Sequence, residues 1–402
     1  MKKTPLALWL YLGLLLPVCW LQGCESFWGS ETDTDFLDVP IYNDQTVAYV
    51  PIQPVWEGFS RPVDVVAGWD ELIYVADAGT EEVVSFDQAG NELGRFPVPG
   101  LTAIAQDRRL DLLALGTRDT VISNTAFRLP ALYRLRLRGA DGYGLQYARV
   151  VRVVIHPFYF KSGTPTQSDE AVSLRSISVL ADNRYYVSRN GPSNNPLKFG
   201  GPDDAVLLFN AQDEFVTPVQ VSTALGLFRD YFRSPQGITT FAAPPQSPAV
   251  NRRGDFIFTS TEPNNVLKVQ IIRLEESAGG SSYRLLQTLV GDTSKADDFL
   301  YRPGRFGRPT DVCVAGDGTN YIFVVDVEKD SLFQFNALGY EGVNPPAGSS
   351  SRKAIRASFG GRGQGLTQFN EPRAVAYLRQ IVYVADAGNA RLLRFKLTTD
   401  FD

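Results

Sequence analysis

The same six residues, Tyr-Val-Ala-Asp-Ala-Gly, stand at positions 74–79 and 383–388, near opposite ends of the chain. Such a copy is either a pair of matching active-site loops or the best-kept part of a repeat, and a repeat constrains the fold more than any other feature. Three further signals recur in a fixed order. The first is Phe-x-x-Pro, at 59–62, 96–99, 232–235, 306–309 and 369–372. Each introduces an apolar or β-branched run, and a proline at the first position of a strand forfeits no ladder hydrogen bond.

The second signal is an apolar run of strand length, at 72–75, 112–115, 185–187, 256–258, 321–325 and 381–384. The third reads apolar, apolar, any, apolar, at 83–86, 132–135, 206–209, 266–269, 332–335 and 392–395. Turn residues usually follow, and in several copies a fourth strand-like run comes next, such as 354–359. Four strands repeated six times, with roughly 50–75 residues per unit, suit a six-bladed β-propeller better than a sandwich. The expected fold class is therefore all-β. The last unit ends at Leu397 with three strands, while the run 47–55 has no unit of its own. This N-terminal strand is expected to complete the last blade, which closes the ring and removes its sheet edges.

The sequence from Phe359 to Pro372, Phe-Gly-Gly-Arg-Gly-Gln-Gly-Leu-Thr-Gln-Phe-Asn-Glu-Pro, is followed at 382–391 by Val-Tyr-Val-Ala-Asp-Ala-Gly-Asn-Ala-Arg. Together they resemble an NHL repeat, and 59–86 is a second good copy. The resemblance covers the first, fifth and sixth units well, the fourth in part, and the second and third only in strand pattern. It implies the propeller fold and is poorly specific for function. It also implies that Asp386, Asn389 and Arg391 belong to the turn after the second strand. In physical terms, an Asp carboxylate there can accept hydrogen bonds from backbone N–H groups two or three residues on. The aligned positions are Asp77, Gly116, Arg189, Thr261, Asp326 and Asp386. Such loose recurrence suits a turn-former rather than a catalytic group.

Lys2 and Lys3 precede an uncharged apolar run at 6–21, the pattern of a secretory segment. Pro17 interrupts the run, and it is short for a bilayer core of about 30 Å. Leu21-Gln22-Gly23-Cys24 resembles the lipobox of bacterial lipoproteins, which implies lipid attachment at Cys24. The domain reading is thus a signal peptide at 1–23, an acidic tether at 24–45 and the propeller at 46–402. It places the protein in a bacterial cell envelope, outside the cytoplasm and lipid-anchored, at the outer membrane or cell surface rather than the inner membrane. The chain has 39 basic and 44 acidic residues, net −5, and loss of Lys2 and Lys3 deepens this to −7. No basic stripe suggests nucleic acid as a partner. The expected partners are the membrane lipid and a protein.

Chemistry is sparse. Some propellers related to NHL proteins are lyases or lactonases with a metal in the central channel, and zinc centres of that kind need several histidines. This chain has one, His156, which reads as structural. No metal ligands or catalytic residues are assigned and no cofactor is expected, although an all-oxygen calcium site stays open. Cys313, in an apolar run, reads as a buried small hydrophobe. The glycine-rich stretch 360–365 precedes a strand rather than a helix, so it does not read as a phosphate loop.

The most suggestive polar pattern is Arg61-Pro-Val-Asp64, repeated as Arg308-Pro-Thr-Asp311 where innermost strands should begin. Those positions approach one mouth of the axial channel. One reading pairs Arg with Asp inside each blade. The other gathers Arg61, Asp64, Arg308 and Asp311, with Arg373 and Gln236, into a ligand-binding funnel. The loops 189–204, 291–305 and 343–353 are further places where recognition could lie. The favoured function is a membrane-anchored binding or scaffold module and not an enzyme. The alternatives are a lactonase-like or lyase-like enzyme and an accessory subunit of a membrane complex.

Overall fold

The computed structural model describes residues 47–159, 165–242, 254–277, 280–287, 291–345 and 351–401. The signal segment 1–23, Cys24 and the tether 24–45 lie outside the described residues.

Six sheets, each with an antiparallel four-stranded body, form the blades of a β-propeller. Blade 1 contains Pro62–Ala67, Ile73–Asp77, Glu82–Phe86 and Glu92–Pro97, from the axis outward. Blade 2 contains Ala103–Gln106, Asp111–Ile122, Thr125–Arg136 and Arg149–Ile155, and blade 3 contains Ser173–Val179, Tyr185–Asn190, Ala205–Phe209 and Phe215–Pro218. Blade 4 contains Pro235–Thr240, Phe256–Ser260, Val269–Ser277 and Gly280–Leu285. Outside these it adds a hairpin, Val221–Thr223 with Gly226–Phe228. Blade 5 contains Pro309–Val314, Ile322–Asp326, Ser331–Phe335 and Phe359–Gly360. Blade 6 contains Pro372–Leu378, Ile381–Asp386 and Arg391–Leu397, with Tyr49–Pro51 as its outer strand. The six innermost strands contact one another in a closed circle.

The strand Tyr49–Pro51 closes the ring, pairing Tyr49 with Leu397 and Pro51 with Phe395. Hydrogen bonds between Trp56 and Leu392, N–H to carbonyl in both directions at 3.1 and 2.8 Å, extend the seam. The Trp56 indole stacks on Phe86 of blade 1 at 5.1 Å and lies 5.8 Å from Tyr383 of blade 6. One side chain thus fastens the last blade to the first.

Both faces of each blade are covered. In the strand Ile73–Asp77 every residue is buried: Ile73 and Val75 pack toward blade 6, Tyr74 and Ala76 toward blade 2. Six apolar clusters result, one between each pair of neighbouring blades. Each fully buried Val, Leu or Phe contributes about 1.5–3 kcal/mol. Strands buried on two faces read as continuous apolar runs, which is why 72–75 and its five counterparts stand out in the sequence.

Some expectations are displaced. The motif at 96–99 does not open blade 2: Phe96 lies in the outer strand Glu92–Pro97 of blade 1, and the next innermost strand starts at Ala103. The run 266–269 precedes the third strand of blade 4, which begins at Val269, and Val266 is 63% exposed. Of 354–359, only Phe359 enters a named strand, while Ile355 makes an isolated bridge to Val343.

Candidate functional site

The aspartate of the repeated hexapeptide is a fastener. Asp77 is fully buried and accepts hydrogen bonds from the backbone N–H groups of Ser60, Arg61 and Gly79 at 2.7, 2.7 and 3.0 Å. Asp326 does the same for Gly307 and Arg308 at 2.6 and 2.9 Å, and also for Glu328 and Lys329. Asp386 accepts from Asn370 N–H at 2.7 Å and from the Asn389 and Arg391 side chains, each at 2.8 Å. Beyond closing its own turn, each carboxylate therefore ties down the segment that leads into the innermost strand. Arg391 extends the tie by donating to the carbonyls of Gln364, Gly365 and Gln368, which holds the glycine-rich stretch in place. Register corrects one aligned position. Pro62 pairs with Asp77 and Pro235 with Ser260, so Ser260 and not Thr261 is the blade 4 counterpart.

The innermost strands set the channel chemistry. Asp64 accepts from Ile104 N–H of blade 2 at 2.8 Å and from its neighbour Val65. Asp311 accepts from Val375 N–H of blade 6 at 2.9 Å, and the hydroxyl of Ser176 in blade 3 from Ile238 N–H of blade 4 at 3.2 Å. Blades 1, 3 and 5 thus carry an acceptor where blades 2, 4 and 6 carry Ala103, Gly237 and Ala374. Space explains the alternation at Gly237, because a Cβ there would lie 2.5 Å from the Asp311 Cα. Asp64 and Asp311 face the channel cavity, which holds about 100 Å³ of water-accessible space and is also lined by Trp69, Gln106, Ser176 and Tyr377. Burial pushes the Asp64 carboxyl up to about 7. Asp311 is raised as well, by burial first and then by the charge of Asp64.

The expectation that Arg pairs with Asp inside each blade is not met. Arg61 and Arg308 are exposed and make no ion pair with Asp64 or Asp311. They stand three residues earlier on strands that lead into the channel, so they flank its mouth while the aspartates sit deeper. Arg373 and Gln236 also reach the mouth, for a reason that sequence reasoning missed. Blades 1, 3, 4, 5 and 6 all shift register beside the start of the innermost strand. A bulge re-aims the extra side chain, and the residues at that step include Arg175, Gln236 and Arg373. Arg175 carries no sequence signal, because blade 3 lacks the Phe-x-x-Pro motif that marks the position elsewhere.

Arg175 and Arg373 come from opposite blades, yet they feel each other. Partial burial, and then the charge of Arg373, push the Arg175 guanidinium below its ordinary range. Glu371, bonded to Arg373 at 3.0 Å, is lowered by that hydrogen bond first and also by the charges of Arg373, Arg61 and Arg308. One carboxylate therefore faces three guanidinium groups, and Arg373 Nε is buried without a hydrogen-bond partner. Beside the mouth, a polar recess of about 350 Å³ between blades 3 and 4 is lined by Arg175, Asn190, Asn194, Asp204, Arg233 and Glu262.

His156 lies elsewhere, fully buried at the end of blade 2, with Nε2 3.5 Å from an Asp169 oxygen and its ring edge-on to Phe158. Burial lowers its basicity, against the opposing pull of Asp169. Cys313 is partly buried: it packs against the cluster between blades 5 and 6 and also lines the channel, its thiol raised by burial and by Asp311. Among the described residues, no group of three or more His, Cys, Asp or Glu side chains is placed to hold a metal ion.

A protein of unknown function from Bacteroides thetaiotaomicron has a similar fold. Its TM-score is 0.53 at 12% identity, over 88% of this chain and 76% of that one. An auxiliary nutrient binding protein from Bacteroides ovatus reaches a TM-score of 0.49 at 10% identity, over 88% of this chain and 77% of that one. Virginiamycin B lyase from Staphylococcus aureus reaches 0.43 at 10% identity, over 87% and 99%. Identities this low concern the fold alone. No family model matches the chain, and no curated protein does.

Proposed function

We propose that this chain is an extracytoplasmic bacterial lipoprotein whose NHL-like six-bladed propeller is a binding or scaffold module, held to a membrane by lipid on Cys24. The observation that carries the binding role is the arginine-rich mouth. Arg61, Arg175 and Arg308 are exposed there, on a ring whose blades are packed on both faces, and only Arg373 pairs with a carboxylate. The packed frame fixes the backbone that carries these side chains before a partner arrives, which lowers part of the ordering cost of association. The anchor rests on Leu21-Gln22-Gly23-Cys24 behind an apolar segment. Two or three acyl chains hold a protein durably, where one is marginal.

The test has two arms. Mass spectrometry of the N-terminus from native membranes should find lipid on Cys24, and an unmodified Cys24 or cleavage elsewhere would refute the anchor. Affinity purification from solubilised membranes should recover a partner with the native chain and lose it with Arg61→Ala/Arg308→Ala. Equal recovery by a variant with unchanged melting temperature would remove the mouth as the binding surface.

A further inference from the structure

The geometry points to a small organic anion, bearing carboxylate or phosphate groups, as the ligand of the channel mouth, held by Arg61, Arg175, Arg308 and Arg373. This deepens the binding reading above and rests on it.

The argument begins with charge. The whole chain carries a net charge of −5, yet Arg61, Arg308 and Arg373 gather around Glu371, and Arg175 stands on the opposite blade beside a recess that holds Asp204 and Glu262. Arginine does not lose its proton in proteins, so crowded guanidinium groups cannot relieve their repulsion by neutralising. Arg175 and Arg373 stand at the mouth on opposite blades, Arg373 with Nε unpartnered, and among the described residues no carboxylate pairs with Arg175, Arg61 or Arg308. An anion placed between them converts that repulsion into charge-assisted hydrogen bonds. The planar donor fork of each guanidinium suits carboxylate and phosphate oxygens.

The deeper groups agree with this polarity. Asp64 and Asp311 both hold their protons more tightly than ordinary carboxyls. Their negative charge below the mouth is thereby reduced. The recess beside Arg175 has the size of a small-molecule site and supplies amide and carboxylate acceptors for hydroxyl groups on the remainder of the ligand.

The proposal uses two probes, citrate and inorganic pyrophosphate, titrated calorimetrically into the purified full-length protein at low and moderate salt. At least one should bind, more weakly as salt rises, and the stronger probe distinguishes carboxylate from phosphate chemistry. Arg175→Gln and Arg373→Gln should each weaken that probe about tenfold. Arg284→Gln, an exposed arginine on the outer strand of blade 4, should change nothing. Glu371→Gln should tighten binding severalfold, an increase that a purely structural role does not produce. No binding by either probe, or equal weakening by Arg175→Gln and Arg284→Gln, overturns the anion site. If the anions fail while Arg61→Ala/Arg308→Ala still loses the membrane partner, the ligand class is wrong and the binding module stands. If the anions bind while that variant keeps its partner, the mouth is an anion site and the partner docks elsewhere.

Discussion

Blades 1, 5 and 6 and blades 2, 3 and 4 solve one problem in different ways. In the first group a buried aspartate, Asp77, Asp326 or Asp386, fastens the segment that enters the innermost strand. In the second group three different devices occupy the same place. Gly116 lies so close to the preceding segment that a Cβ would be 2.4 Å from the Pro99 carbonyl oxygen, and Thr117 N–H bonds that same oxygen at 2.7 Å. Arg189, fully buried, donates to the carbonyls of Pro202 and Asp203 at 2.6 and 2.8 Å. Ser260 donates to the Arg233 carbonyl at 2.7 Å. Five blades tie the entering segment to the second strand, whereas Arg189 of blade 3 holds the segment before the third strand, so the frame does not require an aspartate. The diverged blades carry the hairpin at 221–228, the loop at 189–204 and the recess beside Arg175, so variation in the fastener accompanies variation in the surface.

The comparison breaks most sharply at Asp386. Asp386→Ala removes the carboxylate paired with Arg391, whose side chain is 10% exposed, and should cost about 3–5 kcal/mol in a denaturant titration. A loss below about 1 kcal/mol would show that the aspartate is dispensable where the repeat is best kept. Gly116 offers the next test, because the repeat pattern favours Asp there and the structure forbids it. Gly116→Ala should cost about 1–3 kcal/mol through the clash with Pro99, and Gly116→Asp should cost more. Stabilisation by the aspartate would mean that blade 2 could adopt the common fastener. Ser260→Ala removes a single hydrogen bond and should cost only about 1 kcal/mol, so a loss as large as that at Asp386 would erase the distinction between the two groups.

A pH-dependent test separates fastening aspartates from channel aspartates. Because the folded state raises the Asp64 carboxyl to about 7, this group's stabilisation is full below about pH 4 and fades as pH rises through 7. Asp64→Asn should flatten that decline in melting temperature across pH 4–8. An identical profile would place the titration on another group.

The scaffold was legible because of how it is packed. Strands such as Ile73–Asp77 and Ile381–Asp386 are buried on both faces, so each appears as an uninterrupted apolar run whatever its neighbours do. Closure by the strand Tyr49–Pro51 followed from counting three strands in the last unit. Local motifs without that packing misled: Phe96 has the spacing of a strand opener but belongs to an outer strand, and Val266 has an apolar side chain but faces solvent. The mouth was half visible. Arg61, Arg308, Arg373 and Gln236 sit beside prolines that mark innermost strands, whereas Arg175 owes its place to a register shift in a blade without that proline. The relation of Arg to Asp was not legible at all, because it depends on depth along the axis, and Asp64 answers to Ile104 of the next blade rather than to Arg61.

The seam has a mechanical consequence. Any pull transmitted along the chain from before residue 47 reaches the propeller at the outer strand of blade 6. The load falls first on the paired bonds between Ala48 and Thr398, then on the partners of Tyr49 to Pro51, and last on Trp56 wedged against Phe86 and Tyr383. The ladder Tyr49–Pro51 is short, so Trp56, packed between Phe86 and Tyr383, is the last hold that such a pull meets before blade 1.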